Sequence, residues 1–167
     1  MRVIGIDPGS LVTGYGVVEQ RGGELWCLDY GVIRNKKDIP FPLRLQDIYK
    51  NLKIIFEKYR PDEVAIETIF YAENVSSALK LGHARGVAIL AAVHTNYEIF
   101  EYSPMEIKQS VTGYGRAQKE QVRSMVKSIL RMDGQPFLDS TDALAVAICH
   151  INSRKFNNAV KKAGVNR

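Results

Sequence analysis

Val3-Ile4-Gly5-Ile6-Asp7 and Val64-Ala65-Ile66-Glu67 are two apolar runs that each close on an acid. Their β-branched content and short length predict buried strands. In open α/β sheets ligands gather beyond the carboxyl ends of the strands, so an acid at a strand end sits where a site forms. Asp7 and Glu67 are therefore expected to face one another across neighbouring strands. Asp139 and Asp142 open an Ala- and Leu-rich stretch near the C-terminus. Three residues apart on a helix, they share one face.

Four converging acids need a counterion. At about 4 Å each like-charged pair costs on the order of 4 kcal/mol at an effective dielectric near 20, and a divalent cation offsets that repulsion. All-oxygen ligation suits Mg²⁺, with Mn²⁺ as a substitute. The plainer alternative is a helix start, with Asp139 capping backbone N–H groups and Asp142 complementing the helix dipole. Two strand-end acids together with the helix-start pair favour the metal site.

The order along the chain is legible from its punctuation. Strand 2–7 leads through Pro8-Gly9-Ser10 to β-rich segments at 13–19 and 25–33, separated by Arg21-Gly22-Gly23. Leu45, Ile48, Leu52, Ile55, Phe56 and Tyr59 recur at helical spacing, and Pro61 ends that helix before strand 64–67. A helix over 75–95 is apolar on most faces, thinned by Gly82 and Gly86, and is either central in the core or shared with a partner. Strand 97–102 precedes a short helix opened by Ser103-Pro104 and ended by Gly113. An amphipathic helix over 118–132 follows, then a last helix that extends toward Asn152. One domain over 1–154 is expected, with a mobile basic tail over 155–167.

The 167 residues carry a net charge of +5, but the excess is local. Arg154, Lys155, Lys161, Lys162 and Arg167 lie in a terminal segment without acids, leaving 18 basic and 18 acidic residues before it. Composition permits a nucleic-acid partner without demanding one. Cys27 and Cys149 form no Cys-x-x-Cys motif, and His83, His94 and His150 show no metal spacing. No signal-peptide pattern or membrane-length apolar run is present in the sequence, so a cytoplasmic location is expected.

Two further features bear on a polyanion. Arg116, Lys119, Arg123, Lys127 and Arg131 follow one another at spacings of 3, 4, 4 and 4, opposite an apolar stripe. Alone this is an ordinary solvated helix face. Its approach through Lys108 and the Gly113-Tyr114-Gly115 loop suggests a phosphate grip that positions a duplex without reading sequence. Phe70 and Tyr71, just past Glu67, are either core plugs or a platform on which an unpaired base stacks.

Taken together, Gly5-Ile6-Asp7-Pro8-Gly9-Ser10 with Thr13-Gly14-Tyr15-Gly16, Ala65-Ile66-Glu67-Thr68-Ile69-Phe70, Ala78-Leu79-Lys80-Leu81-Gly82-His83-Ala84-Arg85-Gly86 and Asp139-Ser140-Thr141-Asp142-Ala143-Leu144-Ala145 resemble the bacterial RuvC Holliday-junction resolvases over nearly the whole chain. The resemblance implies a ribonuclease-H-like fold, a mixed five-stranded sheet flanked by helices. It implies a homodimer that cuts two like-polarity strands of a four-way junction, placed here through helix 75–95. By position, Asp7, Glu67, Asp139 and Asp142 would be catalytic acids holding two Mg²⁺ per subunit. Lys108 and Lys119 match family lysines near the scissile phosphate, and Phe70 matches the junction-facing aromatic. Some relatives carry His at the position of Asp139. The branch-migration proteins RuvA and RuvB are the implied partners.

Three other readings compete. The Asp7-Pro8-Gly9-Ser10 turn resembles a phosphate loop of actin-like ATPases and sugar kinases, which need a second domain and a second loop. A non-catalytic junction-binding module would make the acids structural. A related nuclease acting on RNA or an RNA–DNA hybrid would keep the chemistry and change the substrate.

Overall fold

In the computed structural model, residues 1–68, 74–133 and 138–162 are described, with side chains as far as Arg154. Five strands form one sheet in the order β3-β2-β1-β4-β5: β1 Arg2–Asp7, β2 Val12–Arg21, β3 Glu24–Arg34, β4 Glu63–Glu67 and β5 Ile99–Tyr102. β1 to β3 form an antiparallel meander, while β4 and β5 run parallel to β1. The sheet is therefore mixed, and β1 lies at its centre.

Alternation along the strands sorts residues onto two cores. Ile4, Ile6, Val17, Val64 and Ile66 pack under α1 (Phe41–Tyr59) and α2 (Val75–His94). Val3, Val18 and Ala65 face the other layer, made of α3 (Pro104–Thr112), α4 (Lys119–Ile129) and α5 (Leu138–Lys162). α1 stops where Arg60 turns left-handed, φ 44°, and its N–H donates to Phe56 O at 2.8 Å, just before Pro61. α3 has a full capping box between Ser103 and Glu106, and Gly113 at φ 77° ends it.

Several boundaries differ from the sequence expectation. β5 begins at Ile99 because Tyr97 is still held in the turn that caps α2, its N–H donating to Ala92 O and its ring packing 5.6 Å from Phe56. α4 stops at Ile129 rather than 132, since Arg131 turns left-handed at φ 50°. α5 runs on to Lys162, past the expected end near Asn152.

Of the two roles open to α2, a central place in the core is not the one observed. Ala84, Ala88, Ala91 and Ala92 face α1, while Val75, Leu79, Leu90 and Val93 are exposed. Among the described residues, no helix is long and apolar enough to cross a membrane.

Candidate active site

Asp7 and Glu67 end β1 and β4, and their parity with Val3, Gly5 and Ala65 turns them toward α5. What brings α5 to them is the lack of side chains beneath it. A Cβ on Gly5 would lie 2.0 Å from Ala143 O, one on Gly14 would lie 2.0 Å from Asp139 O, and one on Gly16 would meet Leu144 at 2.7 Å. Strand pairs Gly5↔Gly16 and Asp7↔Gly14 set these glycines side by side. The helix backbone rests directly on the sheet, and its first turns stand beside Asp7.

Asp7, Glu67, Asp142, Lys108 and Lys119 line one cavity of about 230 Å³, floored by Ile107, Val122 and Ala145. The basic pair enters from the third layer, Lys108 from α3 and Lys119 from the first turn of α4. Lys119 Nζ stands 3.8 Å from Asp142 Oδ2. Asp139, one turn earlier on α5, lies outside the cavity wall but within electrostatic reach of Asp7 and Asp142.

Burial, reinforced by Glu67, Asp142 and Asp139 in that order, holds the Asp7 carboxyl well above the usual carboxylate range. Burial and then the charge of Asp142 push Glu67 up to about 7. Asp142 is also raised by burial, with Lys119 opposing. Asp7 and Glu67 are thus both pushed toward the neutral form by burial and by one another's neighbourhood of carboxylates, the condition that a bound cation would relieve.

Four carboxylates and no soft donors form a set that fits a hard divalent cation. Among the described residues, no three His, Cys, Asp or Glu side chains already stand around one point. The fit therefore rests on donor chemistry and on mutual repulsion around a shared cavity.

The turn after Asp7 carries a feature that the sequence reading missed. Thr13, fully buried, donates from Oγ1 to Gly9 O at 2.7 Å and accepts from Gly9 N at 3.3 Å. This clamp fixes the loop leaving β1. A Thr on β2 opposite the Asp7 turn was the available signal.

Other expected residues are distributed differently. Tyr114 and Arg116 line a separate cavity of about 750 Å³ with Met105 and Gln109, beside the opposite flank of α3. Arg123 is half-buried on α4 one turn beyond Lys119. Arg131 lies outside the helix, pairing with Glu24 at 2.8 Å beside Trp26. The expected five-membered stripe thus reduces to Lys119, Arg123 and Lys127 on the helix proper. Phe70 and Tyr71 fall outside the described residues.

Comparison with known proteins identifies the family. Residues 3–150 match the family model for the crossover junction endodeoxyribonuclease RuvC. The chain is 49% identical over 161 residues to the Geobacter sulfurreducens protein of that name, covering 96% of this chain and 98% of the relative. It is 53% identical over 153 residues to the Trichlorobacter lovleyi protein, covering 92% and 86%. Among solved structures, Thermus thermophilus RuvC in complex with Holliday junction substrate superposes with a TM-score of 0.89 at 33% identity, covering 94% of this chain and 96% of that one. The yeast mitochondrial resolvase Ydc2, 16% identical with a TM-score of 0.66 over 96% and 83% of the two chains, shares the fold. With a ribonuclease-H-like sheet carrying its acids at the ends of β1 and β4, the chain belongs to the RuvC family of crossover junction endodeoxyribonucleases.

Proposed function

We propose that this chain resolves four-way DNA junctions by metal-dependent phosphodiester hydrolysis, with Asp7, Glu67, Asp139 and Asp142 as cation ligands. The observation that carries the reading is the single cavity shared by Asp7, Glu67, Asp142, Lys108 and Lys119. Carboxylates face lysines there, the arrangement needed to hold cations against a phosphate. Two Mg²⁺ or Mn²⁺ ions would supply an activated water and charge stabilisation for the departing 3′ oxygen, leaving 5′-phosphate and 3′-hydroxyl ends.

Asp7, on the central strand, is suited to serve both ions, with Glu67 on one side and the Asp139/Asp142 pair on the other. Lys119 and Lys108 offset charge that builds on the phosphate. Arg123 extends the basic surface along α4, and Arg116 and Tyr114 add contacts across α3. Phe70 and Tyr71 are assigned to unstacked bases near the crossover. Two subunits joined through α2 would present two sites to the two-fold-symmetric junction. RuvA and RuvB are the partners expected from the family.

The test is cleavage of a synthetic junction with a movable core, mapped on all strands with and without Mg²⁺, beside duplex DNA and an RNA–DNA hybrid. Paired, symmetric, metal-dependent nicks are expected on the junction alone. Asp7→Asn should retain junction binding and lose cutting. Preferred cutting of the hybrid would favour the RNA-directed reading, and binding without nicks by the unaltered protein would favour the non-catalytic one.

A further inference from the structure

Far from the acid cavity, a buried polar chain links β4, β5 and α5. His150 is 1% exposed and Glu63 is 5% exposed. His150 Nε2 lies 2.6 Å from Glu63 Oε2, and its Nδ1 lies 2.8 Å from the Tyr102 hydroxyl. Arg154 Nε donates to both Glu63 oxygens, at 2.9 and 2.7 Å. The His150 ring also packs 4.4 Å from Phe100. Such a network is costly to bury and is tolerated when every member is satisfied.

Its position relative to the acids gives it a use. Glu63 begins β4 and Glu67 ends it, both turned toward α5 by strand parity. Asp142 and His150 lie on α5, which runs the opposite way. Four strand residues span about 13 Å. Eight helix residues span about 12 Å. Strand and helix are thus two rails of matched length, joined at one end by Glu63 and His150 and bearing Glu67 and Asp142 at the other. Tyr102 ties the same rails together, because its carbonyl accepts from Thr68 N at 2.8 Å, directly after Glu67, while its hydroxyl meets His150.

We propose that the Glu63–His150 pair, seconded by Tyr102, is a register pin that sets the separation of the Glu67 and Asp142 carboxylates and so tunes cation affinity at a distance. Glu63, His150 and Tyr102 are positioning residues. Gly5, Gly16 and Ala65 let α5 lie close on the sheet, with Leu144 over Gly16 and with Val3 and Val18 in the same core. To that non-directional packing the Glu63–His150 pair adds a directional contact at the end of the rails remote from the acids.

The inference rests on Glu67 and Asp142 being cation ligands, and the experiment separates the two claims. Mn²⁺ binding to the DNA-free protein is measured by calorimetry for the unaltered chain, Glu67→Gln and His150→Phe. Phe keeps the ring volume and the packing on Phe100 while removing both hydrogen bonds. His150→Phe is expected to weaken Mn²⁺ binding about tenfold, the usual scale for losing a group that orients ligands. Junction binding in chelator should be unchanged, and cutting should recover at saturating Mn²⁺. His150→Gln, whose amide can still donate to Glu63, should recover most of the affinity.

If Glu67→Gln leaves Mn²⁺ binding intact, the underlying ligand assignment fails whatever His150→Phe does. If Glu67→Gln weakens binding and a folded His150→Phe does not, the pin alone is overturned. Should His150→Phe not fold, Tyr102→Phe decides, with a loss of about threefold expected, the equivalent of one weak hydrogen bond. No loss in that variant overturns the pin.

Discussion

Lys119 Nζ lies 3.8 Å from Asp142 Oδ2 although the two residues come from different helices, α4 and α5. The lysine is largely exposed, so the pair adds little to stability. Its field is what matters, because it lowers the proton affinity of Asp7, Glu67 and Asp142 together.

Lys119→Met should therefore leave the melting temperature unchanged and slow single-turnover cleavage about 10²-fold, the scale of losing one charge-stabilising donor. Lys119→Arg should retain part of the rate. A Lys119→Met enzyme cutting at the normal rate would remove this residue from the chemistry.

Glu67 couples folding to pH in a direction that follows from its environment. Burial and Asp142 raise it from 4.5 to about 7. A carboxyl raised on folding contributes stability that is fully present below 4.5 and is lost as pH climbs through about 7. Chelator-treated protein should lose on the order of 2 kcal/mol more than Glu67→Gln between about pH 5 and about pH 8 in denaturant titrations. Mg²⁺ should restore that loss, and its affinity should rise with pH because binding displaces the proton held by Asp7 and Glu67. Parallel pH profiles for the two proteins would contradict the shift.

The strand-end acids were legible because each closes an apolar run of strand length, and the helix-start pair because three residues nearly complete a turn. The meeting of Asp7 with Asp142 was only an expectation, since it depends on α5 crossing the sheet over glycines whose role appears only when β1 and β2 are paired. The Glu63–His150 contact spans 87 positions and joins residue types that carried no motif. Sequence periodicity also overran α4, because nothing in the apolar spacing of Ile129 and Leu130 announces that Arg131 turns left-handed toward Glu24. Local chemistry showed in the sequence, whereas contacts set by the crossing of distant elements did not.

Gly14 is where fold and site are least separable. Its missing side chain admits the Asp139 carbonyl, which a Cβ would approach to 2.0 Å. Backbone cannot yield as a flexible side chain can, so Gly14→Ala should cost about 2 kcal/mol or more through overpacking. The displaced helix start should also weaken Mn²⁺ binding. Calorimetric unfolding and metal titration check both, and a variant with native stability and native affinity would show that α5 is not seated by this glycine.

The outer face of α2 supports one more expectation. Val75, Leu79, Gly82, Gly86, Leu90 and Val93 recur every three or four residues, and the four apolar side chains are exposed. A glycine inside a helix costs roughly 1 kcal/mol relative to alanine. Among the described residues, nothing beyond the helix's own neighbouring backbone comes within 4 Å of where a Cβ on Gly82 or Gly86 would stand, so crowding by those residues does not account for either one. Close approach of a second α2 across a two-fold axis would account for both, because bare backbone at the middle of such a seam would let identical helices touch while Leu79 and Leu90 packed at its ends. Leu79→Glu combined with Leu90→Glu should leave the fold intact, as both side chains are already in solvent, and convert a dimer to monomer in sedimentation velocity. Cutting of the two opposed strands should then become independent, giving single nicks in a supercoiled cruciform plasmid that the unaltered protein is expected to linearise. A double variant that still sediments as a dimer would move the interface off this helix.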